Sequence, residues 1–430
     1  MNKRLLINFF RGFLFVTASL SVMLFQSCSS DDGDEGKSGP DPSTIEYSDI
    51  RDITDNDIAV MEGQMRNAGI EISEETEDEG NNTRLLYNVA IKAVKVSTIT
   101  NHPDGSGKKI KISGVMLVPK SKSRTLRIVV APVPTYTANF RAPSNLFKEI
   151  SLIRDDRLNY LYFWTLQARQ GFAILFPDYP GFGDSYQECF PPYIESKPMV
   201  SSTIDLTKSA QHVLTEEGYK YKPELIITGY SQGGFVSSSL AKELDTNSSH
   251  GLKVSLLVAG GTPANLKMIA DYSLKSVELV SPYLLPYALW GYKKNGYPHL
   301  NPNHALKEPY ATESIDYFNG KLDDLSSYFP KKTADLFTDN FINNLDTDAE
   351  LAYINDMLIE NSVQPWKNKC KIVMVHGRLD KTVHYDNAKD FAEKQNKMGG
   401  KVTFYPVFGN HVSSAINYYA YASTYLLVYR

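Results

Sequence analysis

One serine in this sequence stands between two glycines in a pattern that is typical of a nucleophile. It is Ser231, in the segment Gly229-Tyr230-Ser231-Gln232-Gly233, which reads G-x-S-x-G. Residues 224–228 before it predict a short apolar strand, and residues 234–243 after it predict a helix. A sharp turn between a strand and a helix exposes the serine hydroxyl and aims the first helical N–H groups at a reacting oxygen. The pattern therefore indicates acyl transfer.

A nucleophilic serine needs a base to take its proton and an acid to orient that base. After a strand–serine–helix turn, the acid and then the histidine follow along the chain. Asp380 stands in the loop after a predicted strand at 371–375, and His411 stands just past the next predicted strand. We predict Ser231 as nucleophile, Asp380 as acid and His411 as base, at the carboxyl ends of strands, where open α/β sheets hold ligands. Asp178 is the alternative acid.

The other histidines and the cysteines do not point to a second reactive centre. We expect His376 to make structural hydrogen bonds and His384 to line the site without acting as the base. No spacing of His, Cys, Asp or Glu suggests a metal, and no G-x-G-x-x-G loop opens a helix, so no cofactor is expected. Cys189 and Cys370 are expected to be unpaired thiols.

The elements that must position these residues alternate along most of the chain. The predicted strands are 86–96, 110–118, 127–131, 171–177, 225–228, 254–258, 371–375 and 402–407. A hairpin followed by strand–helix alternation predicts an α/β fold with a mostly parallel central sheet and helices on both faces. Residues 264–368 lack buried strands and predict a mainly helical insertion.

The N-terminus has the pattern of an export signal. Three cations precede the apolar run 12–25, which is too short to span a bilayer, and Cys28 follows it. The pattern resembles a lipobox, so we expect residues 1–27 to be a lipoprotein signal peptide and Cys28 to carry lipid. Residues 28–44 predict an acidic flexible tether, and this combination favours an outer-membrane lipoprotein exposed on the cell surface. Residues 45–84 predict a polar segment with a short helix near 55–67.

Composition excludes some classes of protein. Apolar residues make up 42% of the 430 residues, which rules out a mainly disordered chain. With 45 Lys and Arg against 49 Asp and Glu, the charge is near balance, and we expect no nucleic-acid partner. The expected membrane association is through the lipid, and the sequence gives no oligomeric state.

These motifs together resemble the α/β-hydrolase superfamily, and more narrowly the secretory-lipase-like branch of bacterial and fungal esterases. The resemblance rests on segments 229–234 and 177–185 and on His376-Gly-x-x-Asp380 followed by His411, and it covers about residues 85–430. It implies a serine carboxylester hydrolase with core segments 85–263 and 369–430. It also implies that the insertion 264–368 is a cap over the acyl site.

The same resemblance implies an oxyanion hole built from two backbone N–H groups. One belongs to Gln232, directly after the nucleophile. The second comes from the loop after the third strand of this fold, where Pro132 and Pro134 have no N–H to give. Thr135 is the expected donor there, and Tyr136 is the alternative.

The expected substrate is a short-to-medium acyl ester or a carbohydrate-linked ester, and two other functions stay open. One is a serine peptidase of the same superfamily, which would need an acid to hold the substrate amine. The insertion offers several acids for that purpose: Glu308, Glu313, Asp316, Asp323 and Asp324. The other is a surface binding protein with an inactive site, which the intact order of Ser, Asp and His disfavours.

Overall fold

The structure, a computed structural model, describes residues 40–67, 89–148 and 157–430. The expected signal peptide, Cys28 and the tether as far as residue 39 lie outside the described residues. The strands are β1 Glu46–Ile53, β2 Ile91–Asn101, β3 Lys109–Pro119, β4 Arg127–Val130, β5 Phe172–Pro177, β6 Glu224–Tyr230, β7 Lys253–Gly260, β8 Lys371–Gly377 and β9 Val402–Val407.

Helices connect most of these strands. They are α1 Asp55–Asn67, α2 Pro143–Leu146, α3 Arg157–Arg169, α4 Ser196–Glu216, α5 Gln232–Thr246, α6 Leu266–Lys275, α7 Leu284–Lys294, α8 Tyr310–Glu313, α9 Thr333–Leu336, α10 Asp339–Asn344, α11 Ala352–Asn361, α12 Tyr385–Lys397 and α13 His411–Tyr429. Short 3-10 turns lie at Pro42–Thr44, Asn139–Arg141, Gly183–Ser185, Ser248–His250, Pro302–His304, Ser314–Phe318 and Ser326–Tyr328. Among the described residues, no helix combines the length and the apolar character that crossing a membrane requires.

The strands of the described chain form one sheet in the order β1-β2-β3-β5-β4-β6-β7-β8-β9. The pairs β1/β2, β2/β3 and β3/β5 are antiparallel, and the pairs from β5 to β9 are parallel. Every residue of β4 and β5 is buried, so both faces of the sheet are covered, as their continuous apolar runs predict. The predicted α/β architecture is confirmed.

Strand β1 is the element that the sequence did not predict. Residues 45–84 were expected to carry no strand, yet Glu46–Ile53 pairs along β2 at the edge of the sheet. The first four residues of β1 are all exposed, so its side chains do not alternate between apolar and polar. The helix expected near 55–67 is present as α1. An edge strand in water needs backbone pairing more than an apolar face, and sequence patterns detect only the latter.

The segment between β7 and β8 is an insertion built from α6 to α11. Its start and end are joined by hydrogen bonds, from Val363 N to Ala264 O at 2.8 Å and from Leu266 N to Ser362 Oγ at 2.9 Å. The Asn387 side chain from α12 accepts bonds from the N–H groups of Ala264 and Asn265. The insertion is thus fixed to the sheet at its base, which places it beside the carboxyl ends of the parallel strands.

Candidate active site

Ser231 occupies the sharp turn between β6 and α5. Its φ of 57° and ψ of −123° are angles that residues other than glycine rarely adopt. The turn is held by a hydrogen bond of 2.9 Å from Ser231 N to Gly260 O on the neighbouring strand. A Cβ at Gly229 would come within 2.2 Å of Gly233 O, so only glycine fits at that position. Strain of this kind persists where the surrounding structure enforces it, and it projects the serine hydroxyl from the sheet.

The start of α5 lies against the loop that follows β4. A Cβ at Gly233 would come within 2.1 Å of Pro132 O, so the two backbones are in direct contact. That loop continues to Thr135, the expected second oxyanion donor. The glycine after Gln232 is therefore required for the close approach of this loop to the turn that carries Ser231.

Ser231, His411 and Asp380 form one continuous chain of hydrogen bonds. His411 Nε2 lies 2.9 Å from Ser231 Oγ, and His411 Nδ1 lies 2.6 Å from Asp380 Oδ2. With Asp380 ionised, Nδ1 carries the proton that it donates to the carboxylate, and the lone pair of Nε2 faces the serine. This is the arrangement that general-base activation of a serine requires.

Asp380 is buried but fully satisfied as a hydrogen-bond acceptor. Its Oδ1 accepts bonds from the N–H groups of Thr382 at 3.0 Å and Val383 at 2.9 Å. Its Oδ2 faces His411 and lies 3.4 Å from Nε2 of His376. Burial acts to raise the pKa of Asp380, but the bonds and charge of His376 and His411 outweigh it and hold the pKa well below its usual range. Asp380 is therefore a carboxylate at neutral pH.

A helix cap and a tyrosine hydroxyl fix the backbone at His411. It is the first residue of α13, and Asn410 caps that helix by accepting a bond of 2.9 Å from Ser413 N. The hydroxyl of Tyr230, the residue before the serine, donates to His411 O at 2.5 Å. The element that presents the serine and the element that presents the imidazole are thereby tied to each other.

The turn opens onto a pocket that lies between the sheet and the insertion. Its cavity volume is about 90 Å³, and Ser231 and Gln232 are among the residues that line it. Most of the residues that line it belong to the insertion, and many of these are apolar, among them Leu266, Ile269, Ala270, Leu279, Leu284, Leu285, Phe337 and Leu358. The helical insertion therefore forms one side of the candidate acyl site.

Charged groups are sparse in this pocket. Among the residues that line it, Glu278 and Lys381 carry charge, and both side chains are exposed at the surface. None of the five acids that the peptidase alternative relied on lines the pocket. Glu278 does line the pocket. The sequence analysis did not identify it, because no motif in its segment places it close to Ser231.

The other histidines lie near the hydrogen-bonded chain without entering it. His376 is fully buried on β8, and its Nε2 donates to Val383 O at 2.8 Å. His384 stacks on Tyr272 of the insertion with ring centres 4.4 Å apart, and burial lowers its pKa. The structure does not place His384 among the pocket-lining residues, where the sequence predicted it.

The alternative acid, Asp178, lies in a separate network. Its carboxylate accepts bonds from the Ser113 hydroxyl at 2.6 Å and from Ser144 N at 3.0 Å, and these fix the loops around β3 and β5. Cys189 and Cys370 are both unpaired. In the part of the chain that the structure describes, no cluster of three His, Cys, Asp or Glu residues is arranged to hold a metal ion.

The expected oxyanion donors occupy different positions. Gln232 lines the pocket beside the serine, whereas Thr135 is half-buried and does not line it. Tyr193 also lines the pocket, and its hydroxyl is 3.3 Å from Thr135 Oγ1. The sequence analysis did not identify Tyr193, since no motif links residue 193 to the loop after β4.

Residues 160–427 of the chain match the model of a known family, described as secretory lipase. That match spans more than half of the 430 residues. The chain belongs to the secretory lipase family. It is accordingly a carboxylic ester hydrolase, acting on small-molecule esters. No curated protein matches the chain over its sequence.

The chain is also similar in fold to solved structures of proteins that are named as hydrolases, esterases or lipases. A putative hydrolase from Legionella pneumophila is similar with a TM-score of 0.75 and 18% identity, over 89% of this chain and 97% of that one. A rice cell wall degrading esterase from Xanthomonas oryzae has a TM-score of 0.68 and 19% identity, over 90% and 97%. Lipase A of Candida antarctica has a TM-score of 0.55 and 15% identity, over 75% and 73%. At these identities the likeness shows the α/β-hydrolase fold, as the sequence predicted.

Proposed function

We propose that this esterase works through a covalent acyl-enzyme on Ser231. Ser231 Oγ attacks the ester carbonyl carbon while His411 Nε2 takes the hydroxyl proton. The tetrahedral intermediate collapses, the bond to the alcohol oxygen breaks, and His411 protonates the leaving alcohol. Water then attacks the acyl-enzyme in the same way and releases the acid. The observation that supports this mechanism is the unbroken chain of hydrogen bonds from Asp380 through His411 to Ser231, of 2.6 and 2.9 Å.

Asp380 has a defined part in this mechanism. As a carboxylate bound to Nδ1, it fixes the tautomer in which Nε2 can accept a proton. It also stabilises the imidazolium that forms when Ser231 attacks. The backbone N–H groups of Gln232 and Thr135 are proposed to stabilise the oxyanion.

The proposed substrates carry short-to-medium acyl groups. Support comes from the apolar side chains that the insertion contributes to the pocket wall. Carbohydrate-linked esters are included because an esterase of this fold from Xanthomonas oryzae is named for degrading rice cell wall. No residue arrangement in the pocket favours the peptidase alternative.

The test is hydrolysis of p-nitrophenyl esters from acetyl to palmitoyl, together with acetylated xylan, by the full-length protein in detergent. We expect highest kcat/KM at short-to-medium chain length and loss of turnover in Ser231→Ala. Retention of wild-type turnover in Ser231→Ala would contradict the nucleophile. A strong preference for emulsified long-chain triglyceride over soluble esters would contradict the proposed substrate class.

We also propose that the enzyme is a lipoprotein of the outer membrane, exposed on the cell surface and anchored through Cys28. Support comes from the apolar run 12–25 that ends shortly before Cys28 and from the acidic segment that follows. A lipid at Cys28 would hold the protein to a membrane without any basic patch.

A further inference from the structure

Tyr193, in the short segment before α4, is a wall residue whose hydroxyl lies beside Thr135. It lines the same pocket as Ser231 and Gln232, and only 6% of the residue is exposed. A buried phenol is a polar group in a wall that is otherwise mostly apolar. Burying a polar group costs free energy of folding unless the group makes hydrogen bonds.

The pair of hydroxyls on Tyr193 and Thr135 has one proton more than the bond between them needs. Its oxygen lies 3.3 Å from Thr135 Oγ1, and in the described part of the chain neither hydroxyl has another hydrogen-bond partner. Two hydroxyls carry two protons, and the bond between them uses one. If Thr135 donates to Tyr193, the proton of the phenol is left to donate into the pocket.

The position of this phenol is fixed by its surroundings. Its ring stacks on Tyr287 of α7, with centres 4.6 Å apart and planes 17° apart. The next residue, Ile194, has a φ of 48°, which is strained for a β-branched side chain. That conformation is held by a bond of 2.9 Å from the Tyr292 hydroxyl to Ile194 O. Strained backbone of this kind clusters at functional sites, and Ser231 is another example in this chain.

The loop after β4 has fewer backbone N–H groups than residues. Pro132 and Pro134 have no N–H, so that loop can offer few backbone groups to an oxyanion. A phenol held in place by stacking supplies a preorganised donor at no cost of reorientation during the reaction. Burial raises the pKa of Tyr193, so that the hydroxyl keeps its proton through neutral and mildly alkaline pH.

We propose that the Tyr193 hydroxyl donates a hydrogen bond to the oxyanion of the tetrahedral intermediate, with Thr135 donating to the phenol oxygen behind it. The inference rests on the proposed acyl-enzyme mechanism. When Ser231 attacks, the carbonyl π bond becomes the oxygen lone pair that accepts this bond. Tyr193 keeps its proton throughout, and the proton from Ser231 travels by way of His411 to the leaving alcohol.

The test compares Tyr193→Phe with the wild type on p-nitrophenyl butyrate and on a butyl trifluoromethyl ketone, which forms a tetrahedral adduct with a serine. We expect kcat to fall about 10²-fold with KM changed less than about twofold. The affinity for the ketone should fall by the same factor as kcat/KM, because both report the oxyanion. Thr135→Val, which keeps the backbone N–H, should show a smaller loss of the same kind.

Tyr186→Phe is the matched control, since its hydroxyl bonds to Asn319 O outside the pocket. It should equal the wild type in every measurement. A Tyr193→Phe variant with unchanged kcat and unchanged ketone affinity would overturn the proposal, and so would one that changed KM alone. If Ser231→Ala removes turnover and ketone binding while Tyr193→Phe does not differ from wild type, this inference alone fails. If Ser231→Ala retains both, the proposed function fails with it.

Discussion

At the scale of single residues, the two carboxylate oxygens of Asp380 have separate partners. Oδ1 accepts two backbone N–H groups of its own loop, and Oδ2 faces the imidazoles of His411 and His376. The first set fixes the carboxylate, and the second fixes the proton on His411. An amide in place of the carboxylate can satisfy the first set while it breaks the second.

We therefore predict that Asp380→Asn folds but loses about 10⁴-fold in kcat. The amide nitrogen would face Nδ1 of His411, and the imidazole would turn to the tautomer whose Nε2 carries the proton. That tautomer cannot accept a proton from Ser231. Initial rates on p-nitrophenyl butyrate and a thermal melt of the same sample measure both parts of the prediction.

Asp178→Asn is the companion variant. Asp178 is buried and bonded to Ser113 and Ser144, so its loss should lower the melting temperature and leave kcat per folded molecule close to that of wild type. Near-normal turnover in Asp380→Asn together with an inactive Asp178→Asn would move the role of the acid to Asp178.

At the scale of elements, the start of α4 meets the insertion along a row of polar side chains. Ser196 N donates to Asn361 Oδ1 at 3.0 Å, and Asn361 Nδ2 lies 3.1 Å from the Tyr297 hydroxyl, which donates to Glu360 at 2.8 Å. Glu195 is the buried acid of this row, and its Oε2 has no hydrogen-bond partner in the described chain. Burial raises its pKa to about 8.

This acid makes the stability of the folded chain depend on pH. An ordinary Glu has a pKa of 4.5, so between about pH 4.5 and 8 the folded state holds a proton that the unfolded state has lost. The free energy of unfolding should therefore fall as pH rises through that window. The glutamine of Glu195→Gln does not titrate, so this variant lacks that dependence. Within the window, the free energy of unfolding of wild type should fall by about 1.4 kcal/mol per pH unit relative to that of the variant.

Urea unfolding of both proteins at pH 5, about 6.5 and 8 measures that difference. Glu278→Gln, which removes an exposed carboxylate, is unfolded beside them as the control for loss of a surface charge. A constant difference between wild type and Glu195→Gln over the same range would mean that Glu195 is ionised in the folded state.

At the scale of the whole molecule, the chain emerges from the fold at one edge of the sheet. Strand β1 forms that edge and β9 forms the other, where the loop with His411 lies. The lipid proposed at Cys28 would be joined to the chain that leads into β1, whereas Asp380 and His411 follow β8 and β9 on the opposite side of the sheet.

We predict that Cys28→Ser moves the full-length protein from the membrane fraction to the soluble fraction of a Gram-negative host. Turnover per molecule should stay that of wild type, because the described residues that line the pocket all lie between Tyr193 and Val383. Incorporation of an alkyne-tagged palmitate, followed by fractionation, measures the change. Cys189→Ser should keep both label and location, and a labelled Cys28→Ser would contradict the anchor.

The sequence predicted the central sheet well because its parallel strands are buried on both faces. Continuous apolar runs such as β5 admit few other structures, and the glycines around Ser231 mark a turn with strict backbone demands. Strand β1 escaped detection because an exposed edge strand carries no apolar alternation. Its pairing with β2 is a property of backbone groups that all residues share.

The site could be predicted only in part for a related reason. Ser231, Asp380 and His411 follow strand ends, so their convergence could be inferred from the order of elements. The contact of Tyr193 with Thr135 joins two loops 58 residues apart, and no spacing rule connects them. Packing of the insertion decides which side chains line the pocket, and that packing leaves no periodic signal in the sequence.

The position of His411 has a consequence for the order in which the enzyme is completed. The serine turn is held by Gly260 of β7, but the imidazole stands much later, at the start of α13, and is fixed there by Tyr230 and by the cap of that helix. If His411 is the base, as proposed, a chain shortened before α13 carries the serine turn without its base. Such a fragment should hydrolyse no ester.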